Sequence, residues 1–125
     1  QKLGPPQPTL AKLIVARGPN HGEEYRLTEE VTRFGREADR CDKIIPGAYV
    51  SSLHFSIMYN AQQRIFYVMD HRSTNGTYLN RQLLPPETYQ HLPFGSTISI
   101  GQNHEVELLF QPVMRTTRVL GSPNP

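Results

Sequence analysis

The sequence predicts an all-β fold, an antiparallel β-sandwich with functional loops at one end, on three observations. Short apolar segments alternate with turn residues at close spacing along most of the chain. No window carries a helical stripe, and 11 prolines with 9 glycines leave long helices little room. Hydrophobic residues make up 37% of 125 residues, enough for one domain with a modest core.

Residues 10–16 (LAKLIVA) are strand-like, and 18–22 (GPNHG) read as a turn. Residues 24–28 (EYRLT) and 31–35 (VTRFG) alternate, and 43–47 (KIIPG) form a short strand ended by a turn. HFSIMYN (54–60) and RIFYVMD (64–70) flank the tetrapeptide NAQQ, which reads as a hairpin loop. TYLN (77–80), STISIG (96–101) and HEVELLF (104–110) complete the set. In a sandwich the core comes from alternate residues. The expected core is Leu13, Val15, Phe34, Ile44, Phe55, Ile57, Phe66, Val68, Leu79, Ile98, Ile100, Val106 and Leu108. Residues 1–9 and 113–125, rich in Pro, Gly and polar residues, are expected to be flexible tails or linkers around a domain over 10–112.

Composition excludes several function classes. The net charge is +2 and the basic residues are scattered, unlike the dense basic face of a nucleic-acid binder. No apolar stretch approaches membrane-spanning length, and no secretory leader is visible. The single cysteine, Cys41, excludes an internal disulfide framework and fits a reducing intracellular compartment, nuclear or cytoplasmic. It reads as a small buried thiol. No direct nucleic-acid partner, membrane, metal or cofactor is expected.

Three loops stand out. RFGREADRCD (33–42) gathers arginines and acids, GAYVSSLHF (47–55) brings Ser51, Ser52 and His54 to the mouth of a strand, and DHRSTNGT (70–77) is dense in small hydrogen-bonding residues. Arg offers a planar fork of charged donors, Ser and Thr hydroxyls rotate to suit, and Gly-flanked loops expose backbone N–H groups. That set suits a phosphate oxyanion. Each loop also has a plain reading: Asn75-Gly76 is a hairpin turn signal, His54 a structural histidine, and Arg36 a solvated side chain.

FGR (34–36), SSLH (51–54) and DHRSTNGTYLN (70–80), in that order, resemble the forkhead-associated (FHA) domain family. GEEYRL with TRFGR upstream and LPFGSTISIG downstream also look like that family, with Ser96 where the family usually has Asp. The resemblance implies about eleven strands and end loops that bind phosphothreonine in a partner protein. It implies that Arg36, Ser51 and Thr74 hold the phosphate, while Asn75, and more weakly Ser52, grip the peptide main chain. Gly35, His54 and Gly76 would support the site. Tyr49 stands where some relatives carry an arginine that reads an acidic residue, so an apolar or mixed preference is expected there. Arg72 and Arg81 flank the third loop, either as ordinary surface arginines or as residues favouring acidic ligands. The phosphothreonine methyl is worth only about 1 kcal/mol, so phosphoserine is expected to bind more weakly rather than not at all. The resemblance places such modules in larger signalling proteins, often in DNA-damage checkpoint or cell-cycle signalling.

Two rival functions are open. Asp70, His71, His54 and Ser51 are the ingredients of a hydrolytic triad, but no nucleophile elbow or metal-ligand spacing is present, so no catalytic residue is expected. A phosphate-independent interaction face on the sandwich is the alternative, marked by Tyr25, Tyr59 or Tyr67 if these are exposed. Thr116 and Thr117, if phosphorylated, would also allow self-association through the pocket of another copy.

Overall fold

The computed structural model describes residues 10–113. Eleven strands follow in chain order, with no helix among the described residues. They are β1 (Ala11–Arg17), β2 (Glu24–Leu27), β3 (Val31–Gly35), β4 (Lys43–Ile44), β5 (Phe55–Asn60), β6 (Ile65–Asp70), β7 (Thr77–Leu79), β8 (Gln82–Leu83), β9 (Gln90–His91), β10 (Thr97–Ile100) and β11 (Val106–Pro112). They form two sheets, ordered β2-β1-β11-β10-β7-β8 and β4-β3-β5-β6-β9. The tails expected over 1–9 and 113–125, with Thr116 and Thr117, lie outside the described residues apart from Val113, whose N–H donates to Leu10 O at 3.1 Å.

The sandwich is antiparallel, as expected, with one exception: β3 pairs with β4 in parallel, Phe34 opposite Lys43 and Gly35 opposite Ile44, while the other ladders between named strands are antiparallel. The chain reaches the sheet edge at β4 by way of the 36–42 loop rather than by a tight hairpin, which permits the parallel pairing.

Inward residues of β1, β3, β5, β6, β10 and β11 meet between the sheets. Leu13, Val15, Phe34, Phe55, Ile57, Phe66, Val68, Ile98, Ile100, Val106 and Leu108 are buried as their alternation predicts, and Leu79 packs against them half-buried. Ile44 is the exception. It is exposed, and its neighbour Ile45 takes the core position, tied by its N–H to Gly35 O at 2.8 Å. A two-residue strand does not fix which of two adjacent isoleucines faces inward. Phe34 stacks on Phe55 with ring centroids 4.7 Å apart, and Tyr25 meets Phe34 edge-on at 5.8 Å.

Tyr25, considered above as an exposed marker, is buried. Its hydroxyl accepts from Asn20 Nδ2 at 2.6 Å and donates to Ile44 O at 2.8 Å, latching β2 to the facing sheet, and burial pushes its pKa up. Tyr59 and Tyr67 are half-buried: Tyr59 packs on Phe66 at 4.6 Å, and the Tyr67 hydroxyl donates to Gln63 Oε1 at 2.8 Å.

Candidate functional site

β3 ends at Gly35, and the position admits no side chain. A Cβ there would lie 2.3 Å from Ser52 O, 2.6 Å from Cys41 Sγ and 2.9 Å from Leu53 Cα. The close approach lets the loop after β3 bond to the loop before β5. Arg36 N–H donates to Ser51 O at 2.9 Å and Glu37 N–H to Ser52 O at 3.2 Å. Cys41, half-buried rather than buried, donates its thiol to the same Ser52 carbonyl at 2.9 Å, and burial raises its pKa. It is a packing thiol, not an activated one.

The third loop is built on Asp70, at the end of β6. Its buried carboxylate accepts from Ser73 Oγ at 2.5 Å, Ser73 N–H at 3.2 Å and Thr77 Oγ1 at 2.6 Å. Ser73 Oγ in turn accepts from Gly76 N–H at 3.1 Å. This closed network fixes the curve on which Thr74 and Asn75 stand. Gly76 has φ +91°, where side chains are strained, and a Cβ there would meet Leu83 Cδ1 at 2.9 Å.

His54 joins the second and third loops from beneath. It is fully buried. Its Nδ1 accepts from Ser51 N–H at 3.0 Å, so the proton sits on Nε2, which donates to Gly76 O at 3.1 Å. Burial pushes its pKa down and keeps the ring neutral, the form this arrangement requires. On the surface side, Thr74 N–H donates to Ser51 Oγ at 3.0 Å and Asn75 Nδ2 donates to Tyr49 O at 3.1 Å. The Ser51 hydroxyl proton is thus free to point outward.

The three loops enclose a groove of about 410 Å³ lined by Arg36, Arg40, Ser51, Ser52, Thr74 and Asn75, with His71 and Arg72 at its side. No carboxylate lines it. Arg36 is exposed and makes no ion pair among the described residues. Arg36, Ser51, Ser52, Thr74 and Asn75 therefore share one surface, with Gly35, His54 and Gly76 behind it. Tyr49 is exposed beside Asn75. The two arginines flanking the third loop are both ion-paired: Arg72, at the side of the groove, has Nε 3.0 Å from Glu87 Oε2, and Arg81, outside the groove, pairs with Glu107 at 3.5 Å.

Ser51, His54, Asp70 and His71 do not form a triad. Ser51 Oγ is bonded to a backbone N–H, Asp70 is committed to Ser73 and Thr77, and His71 Nε2 lies 2.9 Å from Ser56 Oγ. Neither Asp70, weighed only as a triad ingredient, nor Ser73 was expected to shape the third loop. Their signal is present in the sequence, since an aspartate three residues before a serine in a loop has the spacing of a side-chain-to-backbone turn.

A two-sheet sandwich that presents a cationic, hydroxyl- and amide-rich groove on loops at one end is a loop-presenting binding fold. The particular family follows from comparison: the family model "FHA domain" matches residues 32–101, and the chain belongs to the FHA domain family. It is 38% identical over 92 residues to an oxoglutarate dehydrogenase inhibitor of Corynebacterium jeikeium, covering 74% of this chain and 60% of that protein. It is 33% identical over 99 residues to the nuclear inhibitor of protein phosphatase 1 of Homo sapiens, covering 78% of this chain and 28% of that one. The chain thus spans less than two thirds of either relative. Among solved structures, a chain from a structural and functional analysis of phosphothreonine-dependent FHA domain interactions superimposes with a TM-score of 0.69 at 25% identity, covering 86% of this chain and 100% of that one. FHA domains bind phosphothreonine peptides.

Proposed function

We propose that this chain docks onto partner proteins by reading a phosphothreonine with the three-loop groove. One observation carries the reading: Ser51 is bonded to both other loops, to Arg36 N–H through its carbonyl and to Thr74 N–H through its hydroxyl oxygen. The Arg36 backbone, the Ser51 hydroxyl and the Thr74 backbone are thereby set around one point before any ligand arrives, and the exposed Arg36 guanidinium makes no ion pair among the described residues. Pre-placed donors avoid the cost of ordering them on binding. A phosphate carries about −1.5 to −2 charge at neutral pH and three acceptor oxygens, which Arg36, Ser51 and the Thr74 side chain are disposed to receive. Asn75, turned to Tyr49 O in the free chain, exchanges that bond for one to the peptide main chain.

The chain acts by binding, with no chemical step of its own and no cofactor. The relatives' names, two inhibitors of enzymes, favour regulation of an enzyme inside the cell through a docked phosphorylated segment. They lend no support to a DNA-damage checkpoint or cell-cycle setting. The test is a phosphothreonine peptide library against its unphosphorylated twin. The phosphorylated library binds, at roughly micromolar affinity. The unphosphorylated library does not bind, and Arg36→Ala abolishes the signal. Binding retained by Arg36→Ala would overturn the site assignment.

A further inference from the structure

A second cavity, of about 620 Å³, lies across the Thr74-Asn75 ridge from the phosphate groove, and its electrostatic character is opposite. The two share Arg72, Thr74 and Asn75, so a segment crossing the ridge enters both. Tyr49, Tyr78, Gln102, Asn103 and Glu105 also line the second cavity. Glu105, in the turn between β10 and β11, is seated against Gly101. A Cβ at Gly101 would lie 2.2 Å from Glu105 Oε1, so the carboxylate occupies space that only glycine leaves open. Gly101 is tied to the third loop by its N–H to Gly76 O at 3.2 Å, and its Cβ position lies 3.7 Å from Tyr49 Cβ. The carboxylate is therefore held beside the ridge.

Glu105 Oε1 is buried with no hydrogen-bond donor, and Glu105 makes no ion pair among the described residues. Of the cavity's other charged groups, Asp70 is saturated by Ser73 and Thr77, and Arg72 is held by Glu87 at 3.0 Å. A partly desolvated carboxylate without a counter-charge is unfavourable until something supplies one. Tyr49 and Tyr78 line the same cavity as Glu105. Their rings suit the aliphatic stem of a long basic side chain, with its charged head extended to Glu105 Oε2.

We propose that Glu105 selects a lysine or arginine close to the phosphothreonine in the partner segment, an inference that rests on the phosphothreonine reading above. The ligand is then bipolar, with phosphate on the arginine side of the ridge and a cation on the Glu105 side. This contrasts with the apolar or acidic preferences expected from Tyr49, Arg72 and Arg81.

The test uses the full chain and phosphothreonine peptide libraries that place Lys, Arg, Ala or Glu in turn at each position around the phosphothreonine. Lys or Arg is enriched at one position, binding about five- to tenfold tighter than Ala there, as a partly desolvated ion pair allows. Glu105→Gln brings that ratio to about one, and Glu105→Lys turns the preference towards Glu. Each ratio is read on a single variant, so a change in folding stability cancels. Absence of basic enrichment, or enrichment that persists in Glu105→Gln while binding stays dependent on Arg36, overturns the inference and leaves the phosphothreonine reading standing. Failure of every phosphothreonine peptide to bind overturns both.

Discussion

Replacing Gly35 by alanine puts a methyl group where the chain already has atoms. The new carbon would stand 2.3 Å from Ser52 O, 2.6 Å from Cys41 Sγ and 2.9 Å from Leu53 Cα. Two of these three belong to the backbone and cannot swing aside, so the loop before β5 must retreat by about 1 Å to restore van der Waals separation. Forced repacking of this kind costs about 1–3 kcal/mol. The retreat also stretches Arg36 N–Ser51 O and Glu37 N–Ser52 O, now 2.9 and 3.2 Å, each contributing about 1 kcal/mol. The expected loss is about 2–5 kcal/mol, a fall in melting temperature of about 10–30 °C for a domain of this size. Gly95→Ala is the control: its φ of +89° is strained, but nothing lies within 4 Å, so its loss should be about 1 kcal/mol. Urea unfolding of the wild type and both variants measures the difference. Gly35→Ala within about 0.5 kcal/mol of wild type would refute the account of how the first two loops are joined. Adding Cys41→Ala should recover only part of the loss, because Ser52 O remains.

Asp70→Ala leaves Ser73 Oγ, Ser73 N–H and Thr77 Oγ1 without their acceptor. It should cost about 3 kcal/mol in urea unfolding and weaken phosphopeptide binding in a fluorescence titration, although Asp70 is buried and does not line the phosphate groove. His54 and His71 both have pKa values lowered by burial from an ordinary value of 6.5. The unfolded chain therefore takes up protons first as pH falls. Stability is full above about 6.5 and is lost on acidification towards the lowered folded values, by up to about 1.4 kcal/mol per pH unit per histidine. Unfolding measured at pH 7.5, 6.5 and 5.5 checks this, and a flat profile would contradict it. Tyr25→Phe removes the latch to Ile44 O and should cost about 1–2 kcal/mol of stability while leaving phosphopeptide affinity within twofold, since the latch is not part of the groove.

Much of this fold is legible in the sequence because long strands declare their parity. VTRFG coincides with β3, and IFYVMD alternates between half-buried and buried along β6. Short elements do not. β8 and β9, two residues each, carry no period to detect, and the sequence reading has neither. The same brevity misplaced the core isoleucine at Ile44 instead of Ile45. Tyr25 alternates correctly in EYRL, but its depth depends on a latch to a residue in the other sheet, which no local pattern encodes. At the site, Arg36, Ser51, Thr74 and Asn75 were singled out by loop chemistry and motif order. Their convergence depends on contacts between loops distant in sequence, such as Thr74 to Ser51. Glu105 reads in the sequence only as part of the strand-like run 104–110; the structure leaves it in the turn before β11, where only the space above Gly101 and the absence of a donor among the described residues distinguish it.

The most direct test of the central claim is an amide chemical-shift titration of the isotopically labelled chain with a library-selected phosphothreonine peptide. The account predicts the largest shifts at Arg36, Ser51, Ser52, Thr74 and Asn75, with none when the unphosphorylated peptide is added. Shifts centred at the opposite end of the sandwich, around Glu29, Glu30 and Ala61, or equal shifts from both peptides, would contradict it.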